Sequence, residues 1–200
     1  MKKDAKLFFK EFKKIIYENS STTSVYTNNT SWTKRINKEI VPEILLKILK
    51  EENLDVFISH EYYRVDVLAG YNYKNRLPEL KGKARSVEMN FYAWKPMIAF
   101  EHENKKADWY DEVIKLLFLD CPLRVVVGYN DSKKRESDLD KLEILLEIIK
   151  ATGLLEKLEC EEFLIIIGNS GVEKSYKESD EMIKYKGYLY NKEKEKFEEL

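Results

Sequence analysis

The segment KPMIAFEHENKKADW, residues 95–109, joins an apolar run directly to a dense run of polar and charged side chains. Residues 97–100 are Met, Ile, Ala and Phe, a composition typical of a buried strand, and Pro96 predicts a break just before them. Residues 101–106 are all polar or charged. The segment therefore predicts a strand that leaves the core with several ionisable side chains at its end.

Three carboxylates belong to apolar strands or to their ends. Glu101 and Glu103 are expected on one face of the strand, because successive side chains of a strand alternate between faces. Asp66 lies inside the otherwise apolar stretch YYRVDVLAG. Carboxylates in such places are costly unless they are paired or hold a cation. If the two strands are neighbours, the three acids converge.

Converging carboxylates repel one another, and a divalent cation is the usual relief. Ligands that are all oxygen suit Mg²⁺ or Mn²⁺ better than zinc. Such ions activate a water and stabilise the leaving oxygen of a phosphodiester. A nearby lysine adds positive charge where the transition state is negative. The residues therefore point to hydrolysis of phosphodiesters.

Composition narrows the class of protein. The chain has 200 residues, 44% of them apolar and 36% charged, as expected of one globular domain. Cys121 and Cys160 match neither a disulfide framework nor a metal knuckle. The N-terminal residues lack the apolar stretch of a signal peptide, and no apolar run approaches a membrane span. We therefore expect a cytoplasmic protein with no membrane partner.

Periodicity predicts an alternation of helices and strands, which favours an α/β fold around a mixed sheet. Helices are predicted at residues 4–18, 32–50 (with Pro42 as a kink or split), 108–119 and 139–150. Strands are predicted at 55–71 (one bent strand or a strand pair), 86–94, 97–103, 123–129 and 162–168, with an edge strand at 183–190.

The element order, with Asp66 on one strand and EHENK ending a later one, resembles the PD-(D/E)xK nuclease superfamily. In that family a helix precedes three strands, the second bearing an Asp and the third the (D/E)xK, and a helix and a buried strand follow. The resemblance covers residues 32–130 and extends less fully to 169. It implies a restriction-endonuclease-like fold, with a central mixed β-sheet flanked by helices on both faces. It also implies a Mg²⁺- or Mn²⁺-dependent endonuclease that acts on DNA.

The resemblance implies that residues 1–200 form a single nuclease-like domain. Its core is at about 32–169, preceded by an N-terminal helix and polar loop at 1–31 and followed by an edge strand and charged tail at 182–200. Pairing of two copies to cut both strands is left open.

The motif fits the chain in two registers. In the preferred one Glu101 and Glu103 are the paired acids and, with Asp66, the metal ligands. In the other, Glu103 precedes the motif lysine, Lys105. If the lysine role has moved into the following helix, as in some members, Lys115 takes it.

Residues outside the motif complete these expectations. Glu39 or Glu43 matches an additional acid that some members use. His60 and His102 are read as hydrogen-bonded core or rim residues and not as metal ligands. A basic loop between the acidic strands is expected to grip backbone phosphates, through Lys74, Arg76, Lys81, Lys83 and Arg85.

Two rival hypotheses accompany the nuclease. One is a catalytically inactive relative that binds nucleic acid or a protein partner, which the missing lysine of the preferred register would favour. The other is an unrelated α/β protein in which Asp66 and its neighbours are structural, with Asp66 paired to Arg64 or Arg85.

Overall fold

A computed structural model describes residues 4–18, 29–50, 55–62, 64–72, 94–104, 109–130, 137–159, 162–169 and 184–200. The helices in these ranges are α1 (Ala5–Glu18), α2 (Asn29–Arg35), α3 (Val41–Ile48), α4 (Trp109–Leu117), α5 (Asp138–Ala151) and α6 (Leu155–Glu159). The strands are β1 (Asp55–Tyr62), β2 (Val65–Asn72), β3 (Trp94–His102), β4 (Leu123–Tyr129), β5 (Glu162–Asn169), β6 (Lys184–Asn191) and β7 (Lys196–Glu199).

The strands form one mixed sheet in the order β1-β2-β3-β4-β5-β6-β7. Strands β3, β4 and β5 run parallel to one another, and the remaining neighbours are antiparallel. Every residue of β4 is buried, as expected for a parallel strand covered on both faces. The α/β class and the mixed sheet predicted from the sequence are therefore confirmed.

Helices cover both faces of this sheet. Phe100 and Val125 point to the face on which α1, α2 and α3 pack, whereas Ala99 and Val126 point to the face covered by α4, α5 and α6. We refer to the second surface as the α4 face. Alternation of side chains along β3 and β4 divides the core into these two layers. The division matters for the site, because successive residues of a strand point to opposite faces of the sheet and therefore contact different helices.

The predicted helix over residues 32–50 is present but is interrupted by a π-helical turn, Ile36–Ile40, between α2 and α3. Pro42 lies in the first turn of α3, where its missing N–H leaves no hydrogen bond of α3 unmade. The interruption is therefore a wider turn within one continuous helical segment. Such π turns are rare and recur at functional sites.

The break predicted at Lys95 and Pro96 is wrong, because β3 runs through both residues. The β2–β3 register shifts between Ala69 and Gly70, and Gly70 lies opposite Pro96. A bulge accommodates the proline within the strand pair. Residues 86–93 of the strand candidate that precedes this point lie outside the described residues.

The C-terminal segment also differs from expectation. The strand predicted at 183–190 is found as β6, but it is not an edge strand, because β7 pairs with it. The expected charged tail supplies this added strand, and Phe197 is its buried residue. Dense charges around one apolar residue conceal the two-residue period by which strands are recognised.

The bulge predicts a strong effect at Gly70. A Cβ added there would lie 2.0 Å from the carbonyl oxygen of Lys95, so Gly70→Ala must displace backbone. We expect it to lower the free energy of unfolding by about 3 kcal/mol, measured by urea denaturation. Gly153→Ala is the control, since Gly153 has φ +71° and open space around its Cβ position. That variant should lose only about 1 kcal/mol, and equal losses would contradict the packing argument.

Candidate functional site

Asp66 and Glu101 meet across neighbouring strands. The antiparallel register pairs Val67 with Phe100, so its continuation by one residue sets Asp66 opposite Glu101. Both side chains lie on the α4 face of the sheet, as their parity with Leu68 and Ala99 in β2 and β3 requires. Oδ2 of Asp66 accepts a hydrogen bond of 2.9 Å from the backbone N–H of His102. The predicted convergence of these two acids is therefore present.

A cavity of about 400 Å³ opens over this pair, and we call it the acidic cavity. Four carboxylates and two cationic side chains line it, with a histidine: Asp66, Glu101, Glu103, Glu112, Arg64, Lys115 and His102. Its lining carries more negative than positive charge. Such a surface attracts a cation and repels an unaccompanied phosphate.

Lys115 is the ionic partner of Glu101 when the Glu101 carboxyl group is ionised. The Glu101 side chain is 3% exposed, and its Oε1 lies 2.6 Å from Nζ of Lys115. The same ammonium forms an ion pair with Glu112 and donates a hydrogen bond of 2.9 Å to the backbone carbonyl of Arg64. Glu112 and Lys115 share one face of α4 because they are three residues apart. Arg64 lies before β2 in the left-handed conformation, with φ 63°.

The ionisable groups of this cluster hold their protons tightly. Burial raises the pKa of Glu101 to about 8, although the Lys115 ammonium opposes the shift, and the charge of Asp66 adds to it. Burial also raises the pKa of Asp66, against the opposing hydrogen bonds from His102 and Asn37. Burial alone would lower the pKa of Lys115, but its contacts with Glu101 and Glu112 together raise it. All three pKa values are raised because the cluster holds an excess of negative charge away from water.

Asn37 is a site residue that the sequence reasoning missed. It belongs to the π-helical turn, is 8% exposed, and hydrogen-bonds Asp66 through its side chain. Glu39 and Glu43 were the acids expected from this helix, but neither lines the acidic cavity. They are exposed and pair with Arg35 and Lys47, respectively. No local signal marks Asn37, because the π turn changes which side of the helix faces the sheet.

His102 belongs to a buried hydrogen-bond network on the opposite face of β3. Its Nε2 lies 2.9 Å from the hydroxyl of Tyr129, which also accepts a 2.9 Å hydrogen bond from Nε1 of Trp32 and lies 3.1 Å from the hydroxyl of Tyr185. Burial lowers the pKa of His102 to about 3, so the ring is neutral at physiological pH. The expectation of a hydrogen-bonded core histidine is confirmed, while His60 is exposed on β1.

Of the other predicted site residues, two lie at the acidic cavity and the rest fall outside the described residues. Glu103 lines the acidic cavity, and its backbone N–H donates 2.9 Å to the carbonyl of Val127. Lys115 reaches Glu101 from α4, as the alternative lysine position predicted. Lys105 and the basic loop lie outside the described residues, the latter including Lys74, Arg76, Lys81, Lys83 and Arg85.

No family model matches the chain, and no curated protein matches it. Across the described ranges, no three His, Cys, Asp or Glu side chains are grouped as ligands of one metal ion. No helix in the same ranges is long and apolar enough to cross a bilayer. The class of protein that these findings define is therefore an α/β protein with a seven-stranded mixed sheet in its described part.

The raised pKa of Glu101 predicts a pH dependence of stability. Between pH about 5 and 8 the folded chain keeps a proton on Glu101 that the unfolded chain has lost, so the free energy of unfolding falls as pH rises. Glu101→Gln should flatten this fall, measured by urea denaturation at pH 5, 6.5 and 8. Glu147→Gln, at an exposed position of α5, is the control. An unchanged slope in Glu101→Gln would contradict the assignment.

The hydrogen-bond network around the Tyr129 hydroxyl predicts that its members contribute unequally to the free energy of unfolding. Tyr129→Phe deprives His102, Trp32 and Tyr185 of a shared partner, and we expect it to lower the free energy of unfolding by about 2 to 3 kcal/mol. Tyr185→Phe removes the contact between the two tyrosine hydroxyls but leaves Tyr129 in contact with His102 and Trp32, so it should lose less, about 1 kcal/mol. Thermal and urea unfolding measure both, and a larger loss in Tyr185→Phe would refute this hierarchy.

Proposed function

We propose that this chain is a Mg²⁺- or Mn²⁺-dependent endonuclease that hydrolyses DNA phosphodiesters and has the restriction-endonuclease-like fold. Asp66, Glu101 and Glu103 are its metal ligands, and Lys115 is its supporting cation. The observation that carries the proposal is the meeting of Asp66 and Glu101 across β2 and β3, with the Lys115 ammonium 2.6 Å from Glu101.

The arrangement of elements supports this fold assignment. Strand β2 carries Asp66 and pairs antiparallel with β3, which carries Glu101 at its end. Helix α4 follows, and then β4, which pairs parallel with β3. This is the order of strands, acids, helix and buried strand that the resemblance to PD-(D/E)xK nucleases implies. The helical segment before β1 also reaches the site, through Asn37.

The donor atoms of the acidic cavity fit a hard divalent cation. They are carboxylate oxygens in excess over cationic groups, and the Glu101 side chain among them is buried. A bound Mg²⁺ or Mn²⁺ supplies a more acidic water and charge stabilisation at the leaving oxygen. It also reverses the sign of a surface that would otherwise repel phosphate.

The chain's own residues supply binding and orientation. The backbone N–H of His102 and the amide of Asn37 hold the Asp66 carboxylate in place, and the Tyr129 hydroxyl holds the His102 ring. Lys115 carries the positive charge that stabilises negative charge on phosphate oxygens. Arg64 is exposed at the rim of the cavity. An arginine guanidinium can donate two parallel hydrogen bonds to two oxygens of one phosphate group, so Arg64 is suited to bind the DNA backbone.

Cleavage of plasmid DNA with increasing Mg²⁺ or Mn²⁺ tests the proposal. Wild type should cleave only with metal, and Asp66→Asn and Glu101→Gln should each lose at least about a hundredfold in rate while remaining folded by circular dichroism. Glu147→Gln changes the same charge on α5 and should keep full activity. Cleavage that survives in Asp66→Asn would refute the assigned site.

One observation favours the alternative of a catalytically inactive module that binds nucleic acid or a protein partner. Burial raises the pKa of Glu101 to about 8, and the Lys115 ammonium stabilises its ionised form, so the fold does not need a metal at this residue. This alternative predicts DNA retention in a gel-shift experiment with neither cleavage nor Mn²⁺ binding. A purely structural role for the acids predicts instead that Asp66→Asn unfolds the chain.

A further inference from the structure

We infer that two copies of this chain associate through strand β1. The two β1 strands pair antiparallel about a two-fold axis at Phe57, so that the sheet of one copy continues into the sheet of the other. The inference is independent of the proposed function, because none of the residues that line the acidic cavity belongs to β1.

The two edge strands of the described sheet differ in their protection against pairing with another chain. Strand β7 has four residues, and three of them are charged: Lys196, Glu198 and Glu199. Strand β1 has eight residues, and the stretch from Val56 to Ser59 carries no charge. A long uncharged edge strand is a template for pairing, whereas a short charged one resists it. Pairing is therefore expected at β1.

The central part of β1 has the backbone and the exposure that strand pairing needs. Its register with β2 is continuous from Asp55 to His60, and the left-handed φ of 55° comes only afterwards, at Glu61. The side chains of residues 56–59 are all partly exposed. Val56 and Ile58 pack against the core layer of α1, α2 and α3, so the residue between them points to the α4 face. A second strand at this edge would cover apolar side chains on both faces.

Self-complementarity selects one register for the pair. Residues directly opposite each other in an antiparallel pair point to the same face, so the two-fold axis must pass through a residue and not between two. With the axis at Phe57, this ring faces the same ring of the second copy. Val56 then faces Ile58 of the second copy, and Asp55 faces Ser59. Apolar pairs form on both faces of the sheet, and no two like charges are opposite each other.

The neighbouring registers lack this match. An axis at Ile58 would set Asp55 opposite Glu61 at both ends of the pair. Like charges directly opposite each other destabilise a strand pair. An axis at Ser59 would set Phe57 opposite Glu61, where the backbone leaves the extended conformation. The register centred on Phe57 is therefore the favoured one.

The test is sedimentation equilibrium of the full chain at concentrations from about 1 to 300 µM. We expect a weak dimer, with a Kd of about 10 to 100 µM, because one strand pair buries less surface than the interface of a permanent dimer. The two-fold axis brings residue 59 opposite Asp55 twice. Ser59→Asp should therefore raise the Kd about fivefold, and Ser59→Lys should lower it about fivefold.

Matched controls change the net charge by the same amount away from β1. Lys10→Gln on α1 removes one positive charge, as Ser59→Asp adds one negative charge, and Glu147→Gln on α5 removes one negative charge. Both control positions are exposed. Their Kd should equal that of wild type, which separates pairing at β1 from the general effect of net charge.

Disulfide trapping tests the register itself. Phe57→Cys should form a covalent dimer on oxidation, because opposite Cα atoms of antiparallel strands lie about 4.5 to 5.5 Å apart, within the reach of a disulfide. Ile58→Cys should form none, since residue 58 faces its own copy only if the axis lies there. Wild type, which contains Cys121 and Cys160, measures the background. The cysteine variants carry the test if the charged variants fail to fold by circular dichroism.

Opposite shifts of the Kd in Ser59→Asp and Ser59→Lys, with trapping in Phe57→Cys alone, support the inference. A wild-type chain that stays monomeric throughout the concentration range overturns it. So does a dimer whose Kd moves in the same sense, or not at all, in the two Ser59 variants, or one that Ile58→Cys traps as well as Phe57→Cys does. Absence of metal-dependent cleavage would refute the proposed function and leave this inference unaffected.

Discussion

The burial of the Glu101 carboxylate at the end of β3 governs how this edge of the sheet is built. Removing a carboxylate from water costs several kcal/mol, so burial raises the pKa of Glu101 to about 8, and the ammonium of Lys115 on α4 opposes that shift by stabilising the ionised form. Helix α4 must therefore lie close to the end of β3. Gly128 allows this, because a Cβ there would lie 2.6 Å from Cγ of Trp109, the first residue of α4. Because Gly128 has no side chain, α4 can pack closely enough on the sheet for Lys115 to reach Glu101 on β3.

The two faces of β3 cooperate at the same place. On the α4 face Glu101 meets Asp66 and Lys115, while on the other face the ring of His102 is held by Tyr129. The backbone N–H of His102 links the two by bonding Asp66. The acids are thus held by partners in both layers of the core. Such support gives a site the fixed geometry that metal binding or catalysis requires.

Sequence reasoning reached part of this site for a clear reason. Asp66 and Glu101 stand out because each interrupts or ends an apolar strand, and strand parity predicted their common face. Asn37 and Glu112 did not stand out, since polar residues on helices are usually solvated. Their position depends on the π turn and on where α4 lies against β3. Neither feature leaves a local mark in the sequence.

The sequence by itself determined the elements with strong local periods, including the buried strand β4, the amphipathic helix α1 and the acidic end of β3. It also indicated that carboxylates would lie at positions where burying a charged group costs free energy. Only the tertiary structure decided that Lys115 compensates Glu101, that Asn37 holds Asp66 and that β7 covers β6. The physical reason is that periodicity reports which face of an element is apolar, whereas partners across elements follow from sheet order, register and the seating of each helix.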